Sequence, residues 1–299
     1  MFKSDVSVAL CTFNGEAFLQ KQLDSILAQT YPPVEVLIVD DNSTDGTREI
    51  LKFYQERYPF IKVYLNEINV GFNQNFEKAI FLASGDYICL SDQDDVWYPD
   101  KIKTLRENIG ENWLIFSNSE IINIDGIPTG KKLLNHFQFI DDYKSILFEN
   151  FVTGHTCLIK NDLRKYIFPI PLKGFYDWWI GYVALYHHKL IYLDQALTKY
   201  RVHQSSVIQK TFLSKTKEIA KNNLYIQLEL FSRYSNVRTI DRDFIRTLKD
   251  DLNECKNPFL KSQYFSLLKN MKLFFPLKEQ KSIFSKIVFL YKFLKMHQR

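Results

Sequence analysis

The first half of the chain alternates short, mostly apolar runs with longer stretches whose apolar residues recur every three to four positions. Residues 6–11, 34–39, 61–65 and 87–90 have the length and β-rich composition of strands. Between the first two, residues 15–30 place Phe18, Leu19, Leu23, Ile26 and Leu27 on one helical face. Residues 48–58 and 73–83 read as further helices, with Ser43-Thr44-Asp45 supplying start residues for the former and Ser43 its expected cap. Near-continuous apolar strands separated by helices predict an α/β fold with a parallel sheet covered on both faces. The middle is less regular. Residues 113–117, 156–159, 190–193 and 198–202 read as strands, 121–130 as a turn-rich hairpin, and 141–148 and 176–186 as helices. From about residue 214 the pattern is helical.

Ligands of such sheets bind beyond the carboxyl ends of the strands. Three of those ends are polar: Thr12-Phe13-Asn14, Asp40-Asp41-Asn42-Ser43 and Asp92-Gln93-Asp94-Asp95. The last is the sharpest feature, an apolar run that stops at three carboxylates in four residues. Like charges so close repel, and a hard divalent cation with oxygen ligands is their natural compensation. The alternative is a solvated acidic turn. In extended chain Asp92 and Asp94 project to the same side. Asp95 then points the other way and is expected to cap the helix starting near Pro99, while Trp97 is expected to pack.

Composition narrows the class. A chain of 299 residues with 46% hydrophobic and 24% charged residues suits one large α/β domain plus an appendage. No G-x-G-x-x-G follows the first strand, and G-x-x-x-x-G-K-[ST] is absent, so a dinucleotide dehydrogenase and a P-loop NTPase are set aside. The first apolar run is too short for a signal peptide, and no run reaches bilayer-spanning length. Cys11, Cys89, Cys157 and Cys255 lack disulfide or metal spacing, as expected of a reducing cytosol. Charge is unevenly split: residues 1–205 carry a net −6 and residues 206–299 a net +11. Residues 258–299 hold nine Lys+Arg and one acid, Glu279, interleaved with large apolar side chains. Two amphipathic helices broken near Pro276 would suit an anionic membrane surface, or else a helical subdomain packed on the core with a solvated lysine face. Nothing in the first 205 residues supports a nucleic-acid partner.

Taken in order, the pieces make a pattern. They are Val8-Ala9-Leu10-Cys11-Thr12-Phe13-Asn14-Gly15, Val39-Asp40-Asp41-Asn42-Ser43-Thr44-Asp45-Gly46-Thr47, Asn69-Val70-Gly71 with Asn75, and Ala83-Ser84-Gly85-Asp86-Tyr87. Asp92-Gln93-Asp94-Asp95-Val96-Trp97, Gly154-His155-Thr156, Asp177-Trp178-Trp179 and Tyr200-Arg201-Val202-His203 follow. Over roughly residues 4–207 the chain resembles the family-2 glycosyltransferases of the GT-A fold, and within them the bacterial rhamnosyltransferase-like group. The resemblance implies a GT-A catalytic domain over 1–207, followed by a basic helical region over 208–299. It implies an inverting, metal-dependent transfer of a sugar, rhamnose from dTDP-rhamnose as the first choice, to a lipid-linked or oligosaccharide acceptor of a bacterial surface glycan. The setting would be cytoplasmic, peripheral to the inner face of the membrane if the basic tail docks there.

The same resemblance assigns residues. Asp177 would be the catalytic base. Thr12, Asn14 and Asp41 would hold the base and ribose of the donor, with Asn75 and Arg201 also on the donor side, Arg201 toward the diphosphate. Asp92, Asp94 and His203 would hold Mn²⁺ or Mg²⁺, and Asp92 also counts on the donor side, since one of the two aspartates can reach the ribose or a metal-bound water while the other binds the metal. Gly154, His155 and Trp178 would face the acceptor, the glycine admitting the sugar close to backbone. The family's histidine before the base is Tyr176 here, and the loop after His203 matches only in part. Three alternatives stand beside this reading: a UDP-sugar hexosyl or N-acetylhexosaminyl transferase of the same fold, a non-catalytic nucleotide-sugar-binding or membrane-scaffold protein, and a sugar-phosphate nucleotidyltransferase. The last lacks its Gly-rich basic loop, since Thr12-Phe13-Asn14-Gly15 stands in that place.

Overall fold

The apolar runs of the first half pair in parallel. β1 (Val6–Thr12) lies between β2 (Glu35–Asp40) and β4 (Tyr87–Ser91), and β3 (Ile61–Leu65) adds outside β2. Every residue of β1 and β2 is buried, which is why neither alternates apolar with polar. The crossovers are α1 (Leu19–Leu27), α2 (Thr47–Arg57) and α3 (Phe72–Leu82). A computed structural model describes residues 5–203, 217–254, 264–278 and 282–296 of the chain. The expected boundary at 207/208, the 204–207 loop, Cys255, Glu279 and residues 258–263 of the basic tail lie outside the described residues.

The sheet continues from β4 through the second half of the chain. β5 (Val96–Trp97), α4 (Lys101–Asn108), β6 (Leu114–Ile122), β7 (Pro128–Lys132), β8 (Cys157–Lys160), α5 (Arg164–Ile167), α6 (Tyr176–Tyr186) and β9 (Leu190–Arg201) follow in turn. The strand order is β3-β2-β1-β4-β8-β6-β9-β5, with β7 hydrogen-bonded to β6. β8 is antiparallel to both neighbours and β6 is parallel to β9, so the sheet is mixed but mostly parallel. Two expected strands, 190–193 and 198–202, are one. β6 offers partners along its whole length, and register shifts around Asn118 absorb the residues between them. The expected helix over 141–148 is instead a single 3₁₀ turn, Tyr143–Ile146, started by the Asp142 carboxylate accepting from the Lys144 N–H.

The sheet separates two apolar layers. Leu10, Leu23, Ile38 and Leu105 belong to the layer under α1, α2 and α4. Phe76, Phe116, Tyr182 and Phe275 belong to the other, which reaches into the C-terminal helices. Those are α7 (Lys217–Arg233), α8 (Thr239–Glu254), α9 (Tyr264–Lys269), α10 (Met271–Phe274) and α11 (Ile283–Met296). Leu228, Phe231, Ile245, Phe274, Phe275, Leu290 and Leu294 are buried in the shared cluster. Among the described tail residues Leu267, Met271, Phe274, Phe275, Leu290 and Leu294 are thus buried in the protein's own core, while Lys269, Lys272, Lys292 and Lys295 are exposed. Among the described residues no helix is long and apolar enough to cross a membrane.

Candidate active site

The polar ends of β1, β2 and β4 come to one rim, laced together by side chains. Gln93 Oε1 accepts from Thr12 Oγ1 at 2.6 Å and from the Phe13 N–H at 2.8 Å, and its Nε2 donates to the Phe13 carbonyl. This binds the tip of β1 to the acidic loop. Gly15 is a glycine for that reason: a Cβ there would lie 2.4 Å from Gln93 Oε1. Asn14, at φ +48°, donates its N–H to Ser43 Oγ and accepts from the Thr44 N–H, which joins the loops after β1 and β2. Ser43 therefore does not cap α2. Its hydroxyl donates to Asp40, and Asp45 accepts from the Thr47 N–H instead.

Asp41 is held by three donors, Asn66 Nδ2 at 2.9 Å and the N–H groups of Val70 at 2.8 Å and Gly71 at 2.9 Å. The expected donor contact by Asn75 is corrected. Its buried amide donates to the Val39 carbonyl and accepts from Asn66, so both ends are occupied in holding the residue that holds Asp41. Phe13, passed over in reading the sequence, is 45% exposed between Thr12 and Asn14 and offers an apolar face at this rim.

The acidic loop splits into two groups. Asp94 Oδ2 lies 2.8 Å from His203 Nε2. Asp92, Asp95 and His155 bring one potential ligand atom each within 4.8 Å of one another. Asp95 does not cap α4. It is fully buried, Oδ1 accepts the Arg201 N–H at 3.0 Å, and Oδ2 has no hydrogen-bond partner among the described residues. Burial, reinforced by the charges of Asp94 and Asp177, pushes the Asp92 carboxyl up to about 8. The charges of Asp92 and Asp41 both act on the Cys11 thiol, which burial already raises. Asp41, Asp92, Asp94 and Asp177 thus share one electrostatic neighbourhood.

Two cations stand behind these acids. Arg201 was expected to face the diphosphate. Its Nε instead donates to the Asp94 carbonyl and its Nη1 to the carbonyls of Asn123 and Ile124, so it fastens the acidic loop to the β6–β7 hairpin. Lys101 carries no signal in the sequence beyond its place at the start of a helix. It is wholly buried, donates to the His155 carbonyl at 2.5 Å and sits 3.7 Å above the Trp97 ring. Burial lowers its ammonium to about 8 against the pull of Asp95 and Asp92.

Three residues assigned to the acceptor side turn inward. His155 is buried, stacked on Tyr200 at 4.7 Å, and its Nε2 is 2.9 Å from Ser119 Oγ. Burial lowers it to about 3, so the ring is neutral at pH 7 and directs Nδ1 toward Asp92 and Asp95, 3.8 and 3.9 Å away. Trp178 packs in the core and donates to the Ile146 carbonyl. Gly154 makes room for Tyr176 rather than for a sugar: a Cβ there would sit 1.9 Å from Tyr176 Oη. Gly154→Ala should therefore destabilise the fold by about 1–3 kcal/mol. Tyr176 Oη is buried without a partner among the described residues, so Tyr176→Phe should recover part of that loss in the double variant. Thermal melts of the single and double variants check this; an additive double variant would contradict it.

Asp177 stands in the first turn of α6, half-buried. Oδ1 accepts from the Trp178 N–H at 2.7 Å and from Asn150 Nδ2 at 3.1 Å, and Oδ2 from the Gly154 N–H at 3.2 Å. Burial raises the carboxyl to about 6 against these hydrogen bonds.

A mostly parallel sheet whose strand ends gather carboxylates on one rim is the architecture of the GT-A fold, which the solved structures named below share. The more particular identity follows from relatives. Residues 7–168 match the model of glycosyl transferase family 2, and the chain belongs to that family; it is a glycosyltransferase. It is 31% identical over 225 residues to the dTDP-rhamnosyl transferase RfbG of Shigella flexneri, covering 70% of this chain and 76% of that one. It is 30% identical over 218 residues to WfgD of Escherichia coli, a UDP-Glc:alpha-D-GlcNAc-diphosphoundecaprenol beta-1,3-glucosyltransferase, covering 69% and 81%. Among solved structures, S. aureus TarS 1-349 in complex with UDP-GlcNAc superposes with a TM-score of 0.63 at 18% identity, covering 97% of this chain and 80% of that one. The mannosyltransferase PcManGT of Pyrobaculum calidifontis, in complex with GDP-Man and Mn²⁺, gives 0.59 at 14% identity, covering 99% and 84%.

Proposed function

We propose that this protein is an inverting, divalent-metal-dependent glycosyltransferase that extends a bacterial surface glycan from a nucleotide-activated sugar. The observation that carries the reading is the crowding of carboxyl groups at the rim, Asp92, Asp94 and Asp95 within one loop with His155 and His203 beside them. Asp92 is driven to about 8 by burial and by two other acids, and Asp95 keeps a buried oxygen with no partner among the described residues. Such a site fits a hard cation. Asp92 and Asp94, with His203 that stands 2.8 Å from Asp94, would hold it, and the imidazole would favour Mn²⁺ over Mg²⁺. Bound there, the metal would supply charge neutralisation for a departing diphosphate.

The rest belongs to the chain's own residues. Thr12, Phe13, Asn14 and Asp41 would receive the nucleoside, with Phe13 against the base and Asp41 accepting from its N–H. Asp177 would take the proton of the acceptor hydroxyl as that oxygen forms its bond to the anomeric carbon. The bond from that carbon to the diphosphate breaks, and its electron pair leaves with the diphosphate. One displacement inverts the anomeric centre.

dTDP-rhamnose is the first choice of donor, supported by the similarity to RfbG. A UDP-sugar is the second, supported by WfgD. The acceptor would be a lipid-linked saccharide reached from the cytoplasm, and the exposed tail lysines would meet the anionic inner leaflet by charge alone. A thermal-shift panel of dTDP-, UDP- and GDP-sugars with and without Mn²⁺ tests the reading. One nucleotide class should raise Tm by several degrees, and only with metal, as expected for about 2.7 kcal/mol at a hundredfold excess over Kd. Melts unmoved by every pairing would sink it.

A further inference from the structure

We infer that Asn150 is a positioning residue for Asp177, and that the C-terminal helices brace it. The inference rests on Asp177 being the base. Asp177 Oδ1 already accepts two hydrogen bonds, from Trp178 N–H and Asn150 Nδ2, whereas Oδ2 accepts one, from Gly154 N–H. Oδ2 is thus the oxygen with a lone pair in reserve for the acceptor proton. The Asn150 amide helps decide which oxygen that is, by occupying Oδ1 with a second donor.

Asn150 can do this only if its own segment is fixed. The stretch after the Tyr143–Ile146 turn has no strand or helix ladder of its own, so side chains must hold it. On one side α6 holds it: Trp178 Nε1 donates to the Ile146 carbonyl at 2.7 Å. On the other side the C-terminal helices do. Phe148 stacks on Phe275 at 5.4 Å and 15°, with Phe293 at 5.3 Å, and Glu149 pairs with Lys278 at 3.2 Å. Between these grips, Asn150 Oδ1 accepts the Val152 N–H at 3.0 Å, which orients the amide so that Nδ2 meets Asp177. The tail that looked like an appendage in the sequence therefore reaches the reacting centre through one loop.

Steady-state kinetics at saturating Mn²⁺ across pH test this. Asn150→Ala should lower kcat roughly tenfold to a hundredfold with the donor KM unchanged, because the donor residues lie on other strand ends. The acid limb of its kcat profile should move to higher pH, since the ionised carboxylate loses a donor. Asn150→Asp keeps an acceptor for the Val152 N–H, replaces the donor by a second carboxylate and should move the limb further. Asp92, Tyr176, Tyr200 and Cys157, the other ionisable groups coupled to Asp177, are untouched in both variants. Lys278→Met should give the same split in weaker form, and a wild-type kcat there would overturn the bracing. A merely structural role would lower Tm and leave the limb in place. Wild-type kcat and acid limb in both Asn150 variants, beside an inactive Asp177→Asn, would overturn the positioning role and leave the base standing. An active Asp177→Asn would overturn both.

Discussion

Asp177→Asn is expected to lower kcat by roughly a hundredfold to ten-thousandfold, the range general-base catalysis supplies. Donor affinity should stay near wild type, because the residues proposed for the nucleoside and the metal lie at the ends of β1, β2, β4 and β9 rather than on α6. The substitution keeps the shape of the side chain and removes its charge. One of the three donors around the carboxylate then faces an NH₂ group, which should cost about 1–3 kcal/mol of stability and is read independently by the melt. The wild-type pH profile carries the same information. A base raised to about 6 must be ionised to act, so kcat should fall as pH drops below that value at saturating Mn²⁺. In the variant that acid limb should vanish along with most of the rate. Lost donor binding with a retained rate per bound donor would reassign the residue.

Asp94→Ala should be the second large effect, a loss of roughly 10²–10³ in kcat together with the Mn²⁺-dependent part of donor binding. Calorimetry with the best nucleotide, with and without Mn²⁺, checks it; an unchanged metal dependence would remove Asp94 from the metal site. The metal-free protein adds a stability signature with a definite sign. Asp92 is raised to about 8, so the folded protein holds a proton that the unfolded chain releases near the ordinary carboxylate value of 3.8. Between those values the native state binds more protons than the unfolded one, so this group makes stability fall as pH rises. Mn²⁺ competes for the same carboxylate. The rise in Tm on adding Mn²⁺ should therefore be larger at pH 8 than at pH 5. Equal rises would mean that the metal does not meet Asp92.

How much of the site was legible depends on what each residue does. Asp92, Asp94 and Asp177 stand at a strand end or a helix start next to apolar runs, and that local pattern announces charge delivered to a rim. Asn75, Arg201, His155 and Gly154 were placed at the donor or acceptor by the resemblance alone, yet their polar atoms or space are used by the protein itself. Gln93, Lys101 and Asn150 were missed, since a glutamine inside an acidic run, a lysine opening a helix and an asparagine in a loop are all ordinary on a surface. Lys101 is the clearest case. Only the enclosure of its ammonium by Trp97, His155 and the acidic loop distinguishes it from the exposed lysines of the tail.

The sequence by itself determined the alternation of strand and helix, the parallel half of the sheet, and the three strand ends that carry polar chemistry. Those follow from periodicity and local composition, which act within a few residues of each other. Tertiary structure alone decided the single long β9, the inward turn of His155 and Trp178, the division of the acids between Asp94–His203 and Asp92–Asp95–His155, and the path from the tail to Asp177. Each depends on which hydrogen-bond partner or apolar surface lies nearest in space. The chain brings those together from tens of residues apart, so no local pattern encodes them.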